Sequence, residues 1–253
     1  MANKRVLVTG ASGRVGGIVL RALGHKYEFT ALNRRPVEGV RCFQADLAQL
    51  DAILPAFEGQ DAVLHLAAAT GLHDWPNVLS ANIAGVYNVF EAARRAGVRR
   101  VVFASSGAAI LGYGLESPYR EILAGQYDKV PKEWPRVNER WPVRPDSVYG
   151  ASKVFGEALA RYYADYHGLS MICLRLGAIL ADDRPSSPRA IAGYAGHADV
   201  VQIVELALDA DSSIRFDLFE VVSNNRYRWR DFGHASEVLG FKPKTSSDRF
   251  IPG

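Results

Sequence analysis

The sequence predicts an α/β fold built on a doubly wound parallel sheet, and three observations support this prediction. Short apolar runs alternate with longer amphipathic segments along most of the 253 residues. Residues 4–9, 61–66 and 170–176 are mostly apolar, as strands buried on both faces are. A glycine-rich stretch follows the first of these runs and opens the first amphipathic segment. Such alternation places helices on both faces of a parallel sheet.

Each element is justified by its local pattern. We predict strands at residues 4–9, 28–32, 41–45, 61–66, 100–104 and 170–176, and helices at 15–23, 50–57, 78–96 and 149–166. Gly97 and Gly168 stand where helix C-terminal caps belong. Segment 112–146 contains five prolines and is irregular, so we predict either a functional lid or a disordered loop.

Composition excludes several classes of protein. Hydrophobic residues make up 48% and charged residues 23%, which is ordinary for a globular chain. The net charge of +3 is too small for non-specific nucleic-acid binding, and no apolar run approaches the length of a membrane span. Cys42 and Cys173 are too few for a disulfide framework and read as reduced thiols, so we expect a cytoplasmic protein without nucleic-acid or membrane partners.

The glycine-rich stretch predicts a phosphate-binding turn. Gly10 permits a tight turn, Gly13 permits close approach of a pyrophosphate, and Gly16 lets the helix pack against the sheet. The helix N-terminus then presents N–H groups to the phosphates, so we predict dinucleotide contacts along the turn, from Ser12, Arg14 and Val15 as well as the three glycines. The alternative is a simple strand–helix turn.

The end of the second strand bears on the choice between NAD and NADP. NAD enzymes usually carry an acid there, which binds the ribose 2′-hydroxyl. This chain has Asn33 followed by Arg34 and Arg35, and guanidinium groups attract a 2′-phosphate. The stretch therefore favours NADP modestly; the alternative is that both arginines are solvated and Asn33 serves NAD.

Tyr149 and Lys153 predict the catalytic group. Residues four apart on a helix share one face, and an ammonium group beside a phenol lowers the pKa of the phenol. Tyr149 would then accept a proton from a substrate hydroxyl while hydride leaves the same carbon. A third member, a hydroxyl at the end of the fifth strand, is expected at Ser105–Ser106, although strand-terminal serines also cap backbone groups.

Together these motifs resemble the extended branch of the short-chain dehydrogenase/reductase superfamily, the NAD-dependent epimerase/dehydratase family, over nearly the whole chain. The resemblance implies a Rossmann-like doubly wound parallel sheet with a small C-terminal substrate-binding lobe. It implies a dinucleotide-binding domain at 1–176, with segment 112–146 inserted, and a closely packed, non-independent lobe at 177–253. It further implies a substrate contact from Ser106 and cofactor contacts from Asp46, Leu47, Leu66, Ala67, Ala68, Asn82 and Ser105.

Within that branch the chain is most similar to uronate dehydrogenases and to archaeal-type NAD-dependent glucose-6-phosphate dehydrogenases. The similarity lies in residues 143–153, 155–158, 175–177, 223–229 and 239–244. It implies oxidation of the C1 hydroxyl of a free sugar, sugar acid or sugar phosphate to a lactone. It also implies substrate contacts from Thr70, Gly107 and Arg189, the last as an anchor for a carboxylate.

Departures from that pattern leave the substrate open. Gly107 and Ala108 stand where uronate dehydrogenases carry an Asn-His pair that contacts the sugar, and Ala178 replaces a serine. The separation of 43 positions between Ser106 and Tyr149 is longer than the family expects. The sequence does not choose between a uronate, an aldose and a sugar phosphate.

Two other functions stay open at this point: a nucleotide-sugar epimerase or dehydratase that returns its hydride, and a non-catalytic NAD(P)-binding protein. Retention of both Tyr149 and Lys153 argues against the latter. The six histidines show no metal-ligand spacing, so we predict no metal. The resemblance implies a homodimer or a higher homo-oligomer that contains the Tyr149 helix, with Tyr162, Tyr163 and Tyr166 at the interface or in the core.

Overall fold

The computed structural model describes residues 3–72 and 74–251. Within these residues, seven strands form one parallel sheet in the order β3-β2-β1-β4-β5-β6-β7. The strands are β1 (Lys4–Thr9), β2 (Tyr27–Asn33), β3 (Arg41–Gln44), β4 (Ala62–His65), β5 (Arg100–Ser106), β6 (Ser170–Leu176) and β7 (Phe216–Val221). The chain order reverses between β1 and β4, and ligands of open parallel sheets bind at such a point. The predicted Rossmann-like fold is confirmed.

Helices cover both faces of the sheet. They are α1 (Arg14–Leu23), α2 (Leu50–Ile53), α3 (Trp75–Val78), α4 (Gly85–Arg95), α5 (Tyr119–Ala124), α6 (Val148–His167), α7 (Pro188–Gly193), α8 (His197–Asp209) and α9 (Gly233–Leu239). One apolar layer lies between the sheet and α1, α8 and α9, and the other between the sheet and α2, α4 and α6. Both layers consist of aliphatic and aromatic side chains with almost no exposed surface, which is the main stabilising term of the fold.

The predicted strands and helices agree with the structure to within a few residues, with one difference in kind. The helix predicted at 78–96 is continuous with α3, and its first part, Leu79–Ala84, has π-helical hydrogen bonding before α4 begins. The apolar periodicity of a helix does not reveal such a bulge, which often marks a functional position.

The C-terminal segment takes part in the main sheet. Strand β7 pairs in parallel with β6, from Met171–Phe216 to Leu176–Val221, and α8 packs beside α1. Neither element was predicted. Residues 177–251 are therefore joined to the sheet along a whole strand. The domain boundary at 176 and the role of the C-terminal segment in substrate binding stay predictions.

Segment 112–146 is ordered and has its own apolar cluster. Tyr113, Tyr119 and Trp229 are among the buried side chains of this cluster. The Tyr119 hydroxyl donates to the carbonyl of Pro135 at 2.9 Å, and the Val137 N–H donates to the carbonyl of Trp229 at 2.8 Å. The segment is thus fixed to the stretch that follows β7, and of the two sequence alternatives the disordered loop is wrong.

Candidate active site

The glycine turn after β1 has the geometry that close backbone approach demands. Gly10 has φ of +70°, and a Cβ atom there would lie 2.7 Å from the backbone nitrogen of Ala67. A Cβ on Gly16 would lie 2.6 Å from the carbonyl oxygens of both Gly10 and Ala11. Side chains at these positions would push β1, α1 and the loop after β4 apart. The turn therefore requires glycine for packing, and α1 begins directly after Gly13.

A cavity of about 900 Å³ opens beside this turn. It runs along the carboxyl ends of β1, β2 and β4, where the chain order of the sheet reverses. Its lining includes the following residues predicted from the sequence: Gly10, Ser12, Gly13, Asn33, Arg34, Arg35, Asp46, Leu47, Leu66, Ala67, Ala68 and Thr70. It also includes residues that sequence reasoning missed, among them Ala69 and Asp74 on the loop that leads into α3, and Asn77 within α3. The volume and the glycine-lined floor fit a dinucleotide.

At the β2 end of the cavity, Asn33 occupies the position where NAD enzymes usually carry an acid. The Asn33 amide donates to the Ser12 hydroxyl at 3.0 Å and to the carbonyl of Arg35 at 2.9 Å. Arg34 and Arg35 are exposed and line the cavity. The Asp46 carboxylate accepts from the Ala48 N–H at 2.9 Å, which fixes the loop after β3. This end of the cavity therefore carries two cations, a neutral amide and, on the neighbouring loop, the Asp46 carboxylate.

Three of the predicted cofactor residues, Arg14, Val15 and Asn82, make contacts within the protein. Arg14 donates to the carbonyl of Ile179 at 2.6 Å, and Val15 packs against the core. The Asn82 amide, inside the π-helical turn, exchanges two hydrogen bonds with the backbone of Ala69 and donates to Ser152 at 2.9 Å. Asn82 thus ties the loop that borders the cavity to the catalytic helix. Its direct contact with a cofactor stays a prediction.

The Ser105 side chain makes a buried contact within the protein, and its contact with a cofactor stays a prediction. Its hydroxyl donates to the buried carboxylate of Glu157 at 2.5 Å, and the residue is 3% exposed. Successive residues of a strand point to opposite sides, so a hydroxyl committed to Glu157 leaves the site to its neighbour Ser106.

Ser106, Tyr149 and Lys153 come together where β5 ends. Helix α6 approaches β5 closely because Gly150 and Gly156 face it: a Cβ atom on Gly156 would lie 2.4 Å from the Phe103 ring. The Ser106 hydroxyl lies close enough to the Tyr149 phenol to affect its pKa, and Lys153 Nζ lies 5.6 Å from the centre of the Tyr149 ring. The three groups predicted for proton transfer therefore share one place.

The predicted lowering of the Tyr149 pKa by Lys153 is wrong for the structure without a cofactor. Burial raises the pKa of Tyr149 above its usual 10, and the nearby Ser106 hydroxyl opposes this only in part. Lys153 Nζ donates to the carbonyl of Ala104 at 2.8 Å, not to the phenol. Burial also lowers the pKa of Lys153 to about 8, against the opposing effect of Glu157, so its positive charge is itself reduced near neutral pH.

A row of four buried charges lies behind these groups, and sequence reasoning missed it. Glu157 accepts two hydrogen bonds from Arg175, at 2.7 and 2.8 Å; Arg175 also pairs with Glu220 at 3.1 Å, and Glu220 with Arg230 at 2.6 Å. We call these four residues the buried ion array. All are at most 6% exposed. Charged residues inside the otherwise apolar strands β6 and β7 were the available signal, because buried charges occur in pairs.

The predicted substrate residues occupy different environments. Thr70 is exposed and lines the cavity. Arg189, near the start of α7, pairs with Asp146 at 3.1 Å, just before α6. Gly107 is buried, and Arg230 occupies the space that a side chain there would need. Arg189 therefore lies next to the catalytic helix, but with an acid already beside it.

The described residues contain no group of three or more His, Cys, Asp or Glu side chains placed to hold a metal ion. Over the same residues, none of the helices combines the length and apolar character needed to span a bilayer.

Similarity to known proteins extends over most of the chain. The model of the NAD dependent epimerase/dehydratase family matches residues 6–240. L-arabinose 1-dehydrogenase (NAD(P)(+)) of Haloferax volcanii is 36% identical over 96% of this chain and 97% of its own length. NAD-dependent glucose-6-phosphate dehydrogenase of the same organism is 30% identical over 97% and 95%.

Among solved structures, uronate dehydrogenase from Agrobacterium tumefaciens superposes with a TM-score of 0.84, with 32% identity over 99% of this chain and 88% of that one. The resemblance inferred from the sequence is confirmed. A family match over most of the chain and full-length relatives lead to one conclusion: the chain belongs to the NAD dependent epimerase/dehydratase family.

Proposed function

We propose that the chain is an NAD(P)-dependent sugar dehydrogenase that oxidises the C1 hydroxyl of a free cyclic sugar to a lactone. The observation that carries this proposal is the convergence of Ser106, Tyr149 and Lys153 at the end of β5, at the same edge of the parallel sheet as the glycine-lined cavity of about 900 Å³. The names of the full-length relatives, which are sugar dehydrogenases, support the same class of reaction.

The proposed reaction divides the work between two hydroxyl groups of the chain. Ser106 Oγ holds the substrate oxygen, and Tyr149 Oη accepts the proton that this oxygen loses. The bound nicotinamide would supply the hydride acceptor. Lys153 stabilises the phenolate of Tyr149 and can keep its bond to the carbonyl of Ala104, because an ammonium group carries three N–H donors. Tyr149 and Lys153 both belong to helix α6, which fixes the spacing between the proton acceptor and the ammonium group.

For the cofactor, the arrangement around Asn33 supports use of both coenzymes with a preference for NADP. No acid repels a 2′-phosphate at that strand end, and Arg34 and Arg35 stand beside the cavity. A phosphate between two guanidinium groups gains charge-assisted hydrogen bonds that a ribose hydroxyl does not.

For the substrate, charge balance favours a neutral aldose over a uronate or a sugar phosphate. The Arg189 charge is compensated by Asp146, and the buried ion array contains two arginines and two glutamates. An anionic sugar would need an unpaired cation to replace its lost hydration. The L-arabinose 1-dehydrogenase relative is named for a neutral sugar, which supports the same choice.

We further propose a cytoplasmic homodimer formed through α4 and α6. Tyr87, Tyr162 and Tyr166 are 47%, 47% and 77% exposed on these two helices, which pack side by side. Large exposed aromatic side chains are typical of protein interfaces. Cys42 and Cys173 are both free, as in a reducing compartment. Light scattering of the wild type and of Tyr166→Lys tests the dimer: monomeric wild type would reject it.

The test of the function is a screen of aldoses, uronic acids and sugar phosphates with NAD⁺ and NADP⁺ separately, followed at 340 nm. We expect net formation of reduced coenzyme with a neutral aldose and NADP⁺. Tyr149→Phe should lower kcat/KM by roughly 10²- to 10⁴-fold while coenzyme binding persists, because only the proton acceptor is lost. Tyr162→Phe, on the exposed side of the same helix, is the matched control.

Two results would contradict the proposal. Conversion of a sugar without net reduced coenzyme would indicate an epimerase or a dehydratase. Activity of Tyr149→Phe equal to that of Tyr162→Phe would remove Tyr149 from the mechanism.

A further inference from the structure

Arg230 lies against the residue that follows Ser106. A Cβ atom on Gly107 would stand 2.5 Å from Arg230 Nη1 and 3.0 Å from Cζ. Position 107 therefore carries no side chain of its own, and the guanidinium group from a distant segment occupies that space. Gly107 directly follows Ser106, so this guanidinium lies one residue along the chain from the proposed catalytic hydroxyl.

Two of the three Arg230 nitrogens are held by the protein. Nε donates to Glu220 at 2.6 Å, and Nη2 donates to the carbonyl oxygen of Arg175. The Asp231 N–H and the Val137 carbonyl, 2.9 Å apart, fix the adjoining backbone to segment 112–146. The guanidinium plane is thus locked from two sides before any substrate arrives.

The third nitrogen, Nη1, is free within the described chain. Within residues 3–72 and 74–251, Nη1 donates a hydrogen bond to no residue. It is also not one of the fully buried side-chain atoms that lack a partner, so Nη1 keeps some exposed surface. The side chain as a whole is 3% exposed, so its small accessible part includes this nitrogen. A preorganised donor with an open hydrogen-bonding position, beside the catalytic serine, is what recognition of a sugar oxygen requires.

We propose that Arg230 is a specificity-determining residue, whose Nη1 donates a hydrogen bond to a hydroxyl oxygen of the sugar next to the reacting carbon. This inference rests on the proposed sugar oxidation. Since Glu220 balances its charge, Arg230 acts as a directed donor and not as an anchor for an anion.

A purely structural role for Arg230 predicts different kinetics, and monodeoxy sugars separate the two. Wild type, Arg230→Gln and Arg230→Lys are assayed with the best aldose and with each of its monodeoxy analogues. We expect Arg230→Gln to raise KM for the parent sugar about tenfold or more, and to leave kcat/KM unchanged for the one analogue that lacks the contacted hydroxyl. A structural role lowers kcat/KM for all sugars by the same factor and would overturn the proposal.

Two further variants keep the test decisive if Arg230→Gln folds poorly. Gly107→Ala places a methyl group on Nη1 while all four array charges stay, and should give the same pattern across the analogues; wild-type selectivity in this variant would overturn the proposal. Arg100→Gln removes a different buried arginine, bonded to the carbonyls of Ala210 and Asp211, and should lose stability without changing selectivity.

Failure of the underlying function is recognised separately. Binding of NADPH, measured by its fluorescence, is determined for every variant and does not depend on any sugar. Wild type that binds NADPH but reduces neither coenzyme with any sugar rejects the proposed function, and the role of Arg230 with it. Active wild type with uniform losses in the variants rejects the role of Arg230 alone.

Discussion

Lys153 donates to the carbonyl oxygen of Ala104 at 2.8 Å, and this bond ties the catalytic helix to the strand that ends at Ser106. Ala104 precedes Ser106 by two residues, so the ammonium group is held just behind the catalytic hydroxyl. The same ammonium lies 5.0 Å from the centre of the Phe103 ring. Lys153 is therefore in a desolvated position that raises the free energy of its charged form.

That position predicts opposite effects of Lys153→Met on stability and on activity. Burial lowers the pKa of Lys153 from 10.5 to about 8, so the folded chain binds this proton less tightly than the unfolded chain does. This destabilisation of the folded state is complete below pH 8, where it amounts to about 3 kcal/mol, and it disappears as the pH rises to 10.5. We expect Lys153→Met to unfold at higher urea than wild type at pH 7, and to lose roughly 10²-fold or more in kcat/KM.

The pH dependence of that difference is the check. The stability advantage of Lys153→Met should shrink between pH 8 and 10.5, because Lys153 of the folded wild type is then neutral and its burial no longer destabilises the folded state. A variant less stable than wild type at pH 7 would show that the bond to Ala104 outweighs desolvation.

Asn33→Asp should reverse the preference for the coenzyme. A carboxylate at this strand end repels a 2′-phosphate and accepts a hydrogen bond from a 2′-hydroxyl. We expect kcat/KM for NADP⁺ to fall about tenfold or more while the value for NAD⁺ stays level or rises. Asn33→Ser is the control, since it removes the amide bond to Ser12 without adding charge. Equal losses for both coenzymes in Asn33→Asp would mean that only the fold of the loop was disturbed.

Much of this site could be predicted from the sequence, because sheet topology brings distant motifs to one edge. The glycine turn follows β1, Ser106 ends β5, and Tyr149 and Lys153 share a helix face; parallel strands end at the same edge of the sheet. The buried ion array could not be placed in this way. Contact between Arg230 and Gly107 joins residues far apart in the chain, and it depends on how segment 112–146 fixes the stretch after β7.

The end of the chain was also beyond sequence reasoning, for a physical reason. Strand β7 is less uniformly apolar than β6: it lies at the sheet edge, with Phe216, Asp217 and Leu218 only partly buried. An edge strand needs less apolar character than a central one, so its signal is weaker.

The pKa of Tyr149 was predicted in the wrong direction. The spacing of Tyr149 and Lys153 shows that the two groups share a helix face, but it does not show to which acceptor the lysine donates.

Asp146→Asn should change substrate preference towards anions. The Asp146 carboxylate lies 3.1 Å from the Arg189 guanidinium and cancels its charge beside the start of α6. Asparagine keeps the size but leaves Arg189 free to pair with a carboxylate. We expect kcat/KM for a uronate to rise relative to its parent aldose by about three- to tenfold, while Arg189→Ala leaves the aldose nearly unaffected. A large loss of aldose activity in Arg189→Ala would instead give Arg189 a direct role with neutral sugars.

His65 makes the fold sensitive to mild acid. The imidazole is fully buried between Phe90 and Phe103, and Nδ1 lies 2.6 Å from the Thr9 hydroxyl. Burial, with a smaller effect of the nearby Lys153 charge, lowers the pKa of His65 to about 3. Between pH 6.5 and 3 the unfolded chain therefore binds a proton that the folded chain does not, so stability falls as the pH falls, by about 1.4 kcal/mol per pH unit.

The interval from pH 6.5 to 4.5 isolates this effect, because Glu91, whose pKa is lowered to about 2, affects stability only below its unfolded value of 4.5. Urea unfolding at pH 8, 6.5, 5.5 and 4.5 should give a free energy of unfolding that declines for wild type and for His25→Gln, an exposed control. His65→Gln should start lower at pH 8, because it loses ring packing, and decline less. Parallel declines in all three proteins would mean that other groups cause the acid sensitivity.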